Sequence, residues 1–368
     1  MDIERKIELA ARKPVSEVIT RDELRQVFEA HAHPKHYIGF EISGSVHLGS
    51  GLMTALKIRD LLEAGVKPTI FLADYHSWIN GKLGGDLEQI RAVAQGYFKS
   101  AFVSLGLEEG KVNYVLASQL YDNDYWADVL AISKSTTIAR MLRCTTIMGR
   151  TAAEATYCSS TLYPAMQAAD IFALGVQIAH SGTDQRKVHM LARECADKLG
   201  AKSGKSGSVQ KPVAIHGHLL MGLQGPTKMG FEQNEKEDIE ISSKMSKSKP
   251  ETCIYIHDSE DEIKKKISKA YCPEKQVENN PIIELAEYAV MRDGKSALEI
   301  SRPAKFGGDI IFATVEELKG AYSQGKLHPM DLKAGVGDAL AKLLKPSRDY
   351  FAKRPELIEQ VQQAKVSR

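Results

Sequence analysis

Cysteine is scarce in this 368-residue chain. The five cysteines, Cys144, Cys158, Cys195, Cys253 and Cys272, are odd in number and include no Cys-x-x-Cys pair. That argues against a disulfide framework and against a thiolate zinc site. No uncharged apolar run approaches the ~18 residues of a membrane span. Excess charge is missing too: 49 Lys and Arg against 47 Asp and Glu leave a net charge of +2. Bulk charge therefore announces no nucleic-acid binder, although basic residues can still gather on one face. The segment "MDIERKIELAARK" is charged throughout and has no apolar core of a signal peptide. These absences predict a reducing, cytoplasmic setting with no membrane partner. What is present is ordinary globular composition, 43% hydrophobic, over a length comfortable for two domains.

The order of elements predicts an α/β fold. Thr20 and Glu23 form a capping-box pattern before a helix reaching about Glu29. "HYIGFEI" reads as a strand, broken by the glycines of "SGSVHLGS". "LMTALKIRDLLEAG" has helical spacing, with Gly65 as its C-terminal signal. "KPTIFLAD", a helix over 87–105 and "KVNYVLAS" follow. Such alternation implies parallel strands with helical crossovers, a Rossmann-like doubly wound sheet. Strand signals then vanish, which predicts a helical insertion over about 121–176. "VQIAHSG", the helix "DQRKVHMLARECADKLG" and the strand "VAIHGH" resume the sheet. Residues 224–250 read as a long polar loop. Beyond it, Ser259 and Glu262 cap another helix, and the rest is mainly helical with one glycine-rich break, "KFGGD". The expected division is a catalytic domain over 1–255 and a mainly α-helical domain over 256–368.

Two stretches carry chemistry. "GSVHLGS" lies between a strand and a helix, where backbone N–H groups attract phosphate. Gly44 and Gly49 let the backbone approach a ligand, and His47 can donate to a phosphate oxygen. A plain glycine turn with a surface histidine would look the same. "KMSKS", Lys244 to Ser248, offers lysines to a polyphosphate leaving group, yet alone it reads as a linker. "GAKSGKS" at 200–206 is one residue short of a phosphate-binding P-loop and follows a helix, so it reads as a flexible loop. The pairs His31/His33 and His216/His218 lack a supporting carboxylate or cysteine cluster, so no protein metal site is expected.

Together, "HLGS" after the first strand and "KMSKS" about two hundred residues later resemble the bipartite signature of class I aminoacyl-tRNA synthetases. The resemblance is to the archaeal-type tyrosyl-tRNA synthetases and extends over "FLADYHSW", "LYPAMQAADI", "GTDQRKVHMLARE", "KAYCPEKQVENNPI", "RPAKFGGD" and "KLHPMDLK". It implies that Tyr37 and Asp170 meet the phenol of L-tyrosine, and that Tyr163, Gln167 and Gln185 hold its ammonium group. Tyr163, Gln167 and Asp170 fall on one helical face. A buried acceptor such as Asp170 would be left unpaired by phenylalanine, a selection for which this family is the familiar example. The resemblance further implies ATP with Mg²⁺, bound through Gly44, His47, Gly49, Ser50, Lys244, Met245, Ser246, Lys247 and Ser248. His47, Lys244, Lys247 and Ser50 are the catalytic candidates. For tRNA(Tyr) it implies Arg186 and Lys187, with Arg140 and Arg143, near the acceptor end. Phe306, His328 and Asp331 fall at anticodon-reading positions. A homodimer through the helical insertion is also implied.

The chain departs from the family in four places, one of them the insertion "PTKMGFEQNEKEDIEIS" that lengthens the loop before "KMSKS". Ser50 replaces the usual second signature histidine, Ile42 a common proline, and Leu120–Tyr121 a more usual aromatic–Gln pair. Three alternatives are weighed: a tryptophanyl-tRNA synthetase, a small nucleotidyltransferase, and a non-catalytic RNA-binding paralogue. Tyr37 with Asp170 opposes the first. The intact "KMSKS" opposes the second. Ser50 alone invites the third.

Overall fold

The structure, a computed structural model of the chain, describes residues 1–149, 154, 157–200, 210–228 and 234–366, without the side chains of 200, 306, 365 and 366. Six strands form its main sheet: β1 (Val15–Ile19), β2 (Lys35–Phe40), β3 (Lys67–Leu72), β4 (Asn113–Leu116), β5 (Ile178–Gly182) and β6 (Val213–Gly217). Their spatial order is β1-β6-β5-β2-β3-β4. From β2 to β6 all pairings are parallel, in register from His36 against Ile178 and from Lys35 against Lys67. The inner strands read as nearly unbroken apolar runs because helices cover both faces.

The strand order reverses between β2 and β5, the first strand of each half. Such a switch point opens a crevice at the carboxyl ends of the strands. Residues 41–51 after β2 and 183–185 after β5 both lie there.

Three features depart from the expectations. The first strand of the chain, β1, joins β6 antiparallel at the sheet edge; its five residues show no clean alternation. The polar stretch 224–250 contains a helix, Glu235–Ser243, capped by Asn234 Oδ1 and carrying three carboxylates in its first turn, where they complement the helix dipole. The glycine-rich break in the C-terminal part is flanked by two short antiparallel strands, β7 (Leu298–Ile300) and β8 (Ile310–Phe312). The decoy at 200–206 lies almost wholly outside the described residues.

The predicted caps are present. Thr20 with Glu23 and Ser259 with Glu262 both form complete capping boxes. Helices over 123–135, 138–144 and 158–173 make up the predicted insertion. One apolar cluster joins Ile70 and Leu72 of the sheet to Leu340 and Leu344 of the helix Pro329–Ala352. Phe351 of that helix packs on Tyr97, with ring centroids 5.4 Å apart. The C-terminal helix follows, and its Gln360 accepts from Tyr97 N–H at 3.1 Å.

Candidate active site

A cavity of about 1210 Å³ opens at the switch point. Its walls include the end of β2, the turn 43–50, residues 76–84, the helix Cys158–Ala173, the loop after β5 and the segment 241–252.

The turn after β2 is held by its neighbours. Gly44 adopts φ +114°, a conformation that side chains rarely take. Leu48 N–H donates to Ile254 O at 2.9 Å and Ile256 N–H to Val46 O at 3.2 Å, so residues 254–256 pin the turn from outside. Gly49 passes under the His47 ring: a Cβ there would lie 3.2 Å from Cε1. His47 is buried, and burial together with Lys247 and Lys244 pushes its pKa down to about 3. It is therefore a neutral imidazole at physiological pH. Ser50 Oγ turns back to His47 O at 3.5 Å.

The segment 244–248 docks beside this turn. Met245 is buried, and its N–H donates to Leu220 O at 2.7 Å just beyond β6. This anchor sets the two flanking lysines on the cavity wall. Lys244 Nζ donates to Asp184 Oδ2 at 2.6 Å, and Lys247 Nζ to Ser43 Oγ at 2.9 Å and to Gly44 O at 3.4 Å. Ser246 and Ser248 bond to each other through their hydroxyls at 3.0 Å.

The deep end is aromatic and polar. Tyr37 is buried, edge-on to Phe71 at 5.6 Å between centroids. Its ring passes over Gly39, where an added Cβ would meet Tyr37 Oη at 2.6 Å. Asp170 is 1% exposed. Its Oδ1 accepts from Tyr121 Oη at 2.9 Å and from Tyr125 Oη at 3.1 Å. Burial pushes its carboxyl well above the usual carboxylate range, against the two tyrosine hydrogen bonds. Between the two ends, Gln167 Nε2 donates to Gln185 Oε1 at 3.2 Å, and Tyr163 Oη to Glu41 Oε1 at 2.8 Å. Asn80 Nδ2 also donates to Glu41 Oε1 at 2.6 Å, and Lys82 lies 3.3 Å from Oε2.

A family model described as tRNA synthetases class I (W and Y) matches residues 29–243 and 236–345. A tyrosine–tRNA ligase of Thermococcus kodakarensis is 52% identical over 375 residues, with each chain covered in full. The crystal structure of tyrosyl-tRNA synthetase complexed with L-tyrosine from Pyrococcus horikoshii matches with a TM-score of 0.92 at 49% identity, covering 99% of this chain and 100% of that one. The chain belongs to the archaeal-type tyrosyl-tRNA synthetases. Tryptophanyl-tRNA synthetase from Aeropyrum pernix K1, at 17% identity and a TM-score of 0.68 over 92% of this chain and 84% of that one, shares the fold alone.

The structure brings Tyr37, Gly49, His47, Ser50, Tyr163, Gln167, Asp170, Gln185 and residues 244–248 to one cavity. Gly44 reaches it through its carbonyl contact with Lys247. The remaining candidates lie elsewhere. Arg186 opens the helix Arg186–Gly200 and is paired with Glu17 at 2.9 Å. Lys187 donates to Thr146 Oγ1 at 3.2 Å, and Arg140 is paired with Glu194 at 2.9 Å. Arg143 is exposed. His328 Nδ1 caps the helix Pro329–Ala352 by accepting from Met330 N–H at 3.2 Å, one turn before Asp331. Phe306 ends a short turn, and its side chain is outside the described residues.

Sequence reasoning did not single out Glu41, His76, Lys82, Asp184 or Tyr125 as site residues. Glu41 closes the strand "HYIGFE", and Asp184 stands beside Gln185 in "GTDQ". Glu41, His76 and Asp184 lie within "HYIGFEI", "FLADYHSW" and "GTDQRKVHMLARE", where no spacing rule distinguishes a wall residue from its neighbours, and Lys82 and Tyr125 lie in none of these stretches. His216, of one histidine pair, hydrogen-bonds His189 at 3.1 Å and Glu17 at 2.7 Å. His218 sits between Glu240 and Glu284, at 3.6 and 3.1 Å.

Proposed function

We propose that the chain is a tyrosine–tRNA ligase: it activates L-tyrosine with ATP to tyrosyl-adenylate, releases pyrophosphate, and transfers tyrosine to the 3′ end of tRNA(Tyr). One observation carries this reading. A continuous cavity changes its chemistry along its length, from the buried acceptor Asp170, past Tyr163, Gln167 and Gln185, to Lys244 and Lys247. A zwitterion with a phenol at one end and a polyphosphate beyond it match that sequence of groups.

Tyr37 and Asp170 hold the phenol. Tyr163, Gln167 and Gln185 hold the ammonium, which leaves the substrate carboxylate directed toward the turn after β2. There it attacks the α-phosphate of ATP in line. His47, neutral and donating one N–H, contacts phosphate together with the backbone at Gly44 and Gly49. Lys244 and Lys247 take up the charge that builds on pyrophosphate, while Met245, Ser246 and Ser248 place them. Ser50 adds one hydroxyl. Catalysis is positioning and charge stabilisation, with no covalent intermediate on a side chain. The tRNA 2′-hydroxyl then attacks the activated carbonyl.

The phosphate end offers ammonium, imidazole and hydroxyl groups, and its carboxylate Asp184 is paired with Lys244. This suits a Mg²⁺ carried on the nucleotide, which neutralises polyphosphate charge, rather than one resident in the protein.

Arg186, Lys187, Arg140 and Arg143 take the acceptor end, and Phe306, His328 and Asp331 the anticodon, an unpaired base being read by stacking and directional hydrogen bonds. The catalytic domain ends near residue 255, and the helical domain 256–368 carries the anticodon contacts. The protein works in the cytoplasm; among the described residues no helix is long and apolar enough to cross a membrane. It is a homodimer through 121–176, where Trp126, Leu130, Ile138, Tyr157 and Leu162 expose large apolar side chains.

Amino-acid-dependent ATP–pyrophosphate exchange tests the reading. Exchange with L-tyrosine is expected; exchange with tryptophan alone, or with neither, overturns it.

A further inference from the structure

Lys244 owes its place on the cavity wall to a short antiparallel pairing. Gly222 N–H donates to Ser243 O at 2.8 Å and Met245 N–H to Leu220 O at 2.7 Å, with Met221 opposite Lys244 between them. Whatever holds residues 220–222 therefore holds Lys244. The N–H of Met221 points away from this pairing and donates to Glu284 Oε2 at 3.0 Å. Glu284 stands on the helix Pro281–Leu285, in the C-terminal part of the chain.

The same Glu284 oxygen lies 3.1 Å from His218 Nε2. The other ring nitrogen, Nδ1, lies 3.6 Å from Glu240 Oε1, on the helix Glu235–Ser243 that runs directly into Lys244. Glu240 Oε1 also accepts from Thr183 Oγ1 at 3.0 Å, one residue before Asp184, the partner of Lys244. Tyr288 stacks on the imidazole, centroids 4.2 Å apart and planes 16° from parallel. Lys13 Nζ stands 5.8 Å from the Tyr288 centroid and is itself paired with Glu287 at 2.5 Å. Each nitrogen of His218 thus faces a carboxylate. A neutral imidazole has one N–H, so one contact would set a lone pair against a carboxylate oxygen; only the imidazolium donates to both. Burial would lower the His218 pKa, but Glu240 and Glu284 outweigh it and raise it to about 9. At neutral pH the ring is a cation joining two helices, and charge-assisted contacts are the stronger kind.

We infer that His218, bridging Glu240 and Glu284, is a positioning residue for Lys244, and that through this bridge the C-terminal part of the chain supports the phosphate end of the cavity. The inference rests on the tyrosine-ligase reading and deepens it. Glu240 fixes the helix that delivers Lys244, and Glu284 fixes the segment 220–222 paired with it. His218 locks the two together, so neither side of the pairing shifts without the other. A lysine that stabilises charge on departing pyrophosphate gains from being in place before that charge develops. None of the three residues is assigned a contact with substrate; they act through the lysine.

The test is tyrosine-dependent pyrophosphate exchange by the full-length chain. Glu240→Ala should lower kcat roughly 10-fold, while the Kd for tyrosine from isothermal titration stays within about twofold. Introduced into Lys244→Ala, the same substitution should cost less than about twofold, because the lysine it positions is gone. An undiminished loss in that background is what a merely structural role gives and overturns the proposal, as does an unchanged kcat for Glu240→Ala alone. Glu284→Gln keeps an acceptor for Met221 N–H but removes the charge facing His218. It should also lower kcat and add little to Glu240→Ala, since both break one bridge; fully additive losses refute the bridge. Independently of activity, ¹⁵N shifts of histidine-labelled protein at pH 7.5 should show a doubly protonated ring, assigned by its loss in His218→Asn. A neutral His218 sinks the proposal without any kinetic variant. Absence of tyrosine-dependent exchange in the wild type defeats the ligase reading and the positioning role with it, and the histidine spectrum then decides the bridge alone.

Discussion

Lys244 and Asp184 face each other across the candidate site, Nζ to Oδ2 at 2.6 Å. Sixty residues separate them in the chain, and the backbone anchor of Met245 on Leu220 is what brings them together. The ammonium therefore has a carboxylate partner that incoming phosphate must replace. Substituting Lys244→Ala should lower kcat of tyrosine-dependent exchange roughly 10²-fold, as expected for removing a donor aimed at developing charge. The KM for tyrosine should stay within about twofold, because the lysine lies away from the phenol end. Steady-state exchange kinetics check both; a rise in KM with unchanged kcat would contradict the assignment.

Gly39 underlies Tyr37. A Cβ at that position would lie 2.6 Å from Tyr37 Oη, closer than any tolerated contact, so in Gly39→Ala the phenol must move. Since Tyr37 lines the deep end, the expected effect is a KM for tyrosine raised roughly 10-fold, with KM for ATP unchanged. Isothermal titration with tyrosine alone measures the same loss without catalysis.

Ser50 makes a weak contact, 3.5 Å to His47 O. A single neutral hydrogen bond is worth about 0.5–1.5 kcal/mol net, so Ser50→Ala should cost no more than roughly 10-fold in kcat/KM. His47→Ala removes a buried group at the turn itself and should cost more. The ranking of the two variants in exchange assays is the check.

Stability should fall on both sides of neutral pH. On the acid side, burial lowers the pKa of His36 and of His47 to about 3 in the folded protein. The unfolded chain, with histidine near 6.5, binds more protons between those values. Stability is therefore lost as pH drops from about 6.5. On the alkaline side, burial would lower the His218 pKa, but hydrogen bonds to Glu240 and Glu284 outweigh it and raise it to about 9. Its contribution is complete below about 6.5 and is lost as pH rises through about 9. Thermal melts from pH 5 to 10 should show a maximum near neutrality. His218→Asn should flatten the alkaline limb only.

The helical insertion exposes Leu130 at 67% and Ile138 at 76%. Replacing both with glutamate should convert the proposed dimer to a monomer in sedimentation equilibrium, because the apolar interface proposed there would not tolerate unpaired buried charge.

Much of the fold was legible in the chain itself. The strands β2 to β6 and their intervening helices follow from apolar period and from punctuation such as Gly65, and the Thr20 and Ser259 capping boxes mark a helix before β2 and one after β6, all local signals. The antiparallel edge strand β1 and the helix Glu235–Ser243 were not legible. The first is fixed by pairing with β6, nearly two hundred residues away. The second is a polar, charge-rich segment held by its Asn234 cap rather than by an apolar stripe.

The same division holds for the site. By itself the sequence offered a glycine turn between strand and helix, a lysine pair, and Tyr163, Gln167 and Asp170 on one helical face; each alone also reads as a plain turn, a linker or a polar face, and the resemblance to the family assigned their chemistry. Only the tertiary structure decided which partners complete them. Glu41 meets Tyr163, Asp184 meets Lys244, and Tyr121 and Tyr125 meet Asp170, each across dozens of residues. Those contacts depend on where the sheet reverses its order and on what burial does to protons, and neither is written in the spacing of residues along one strand or helix.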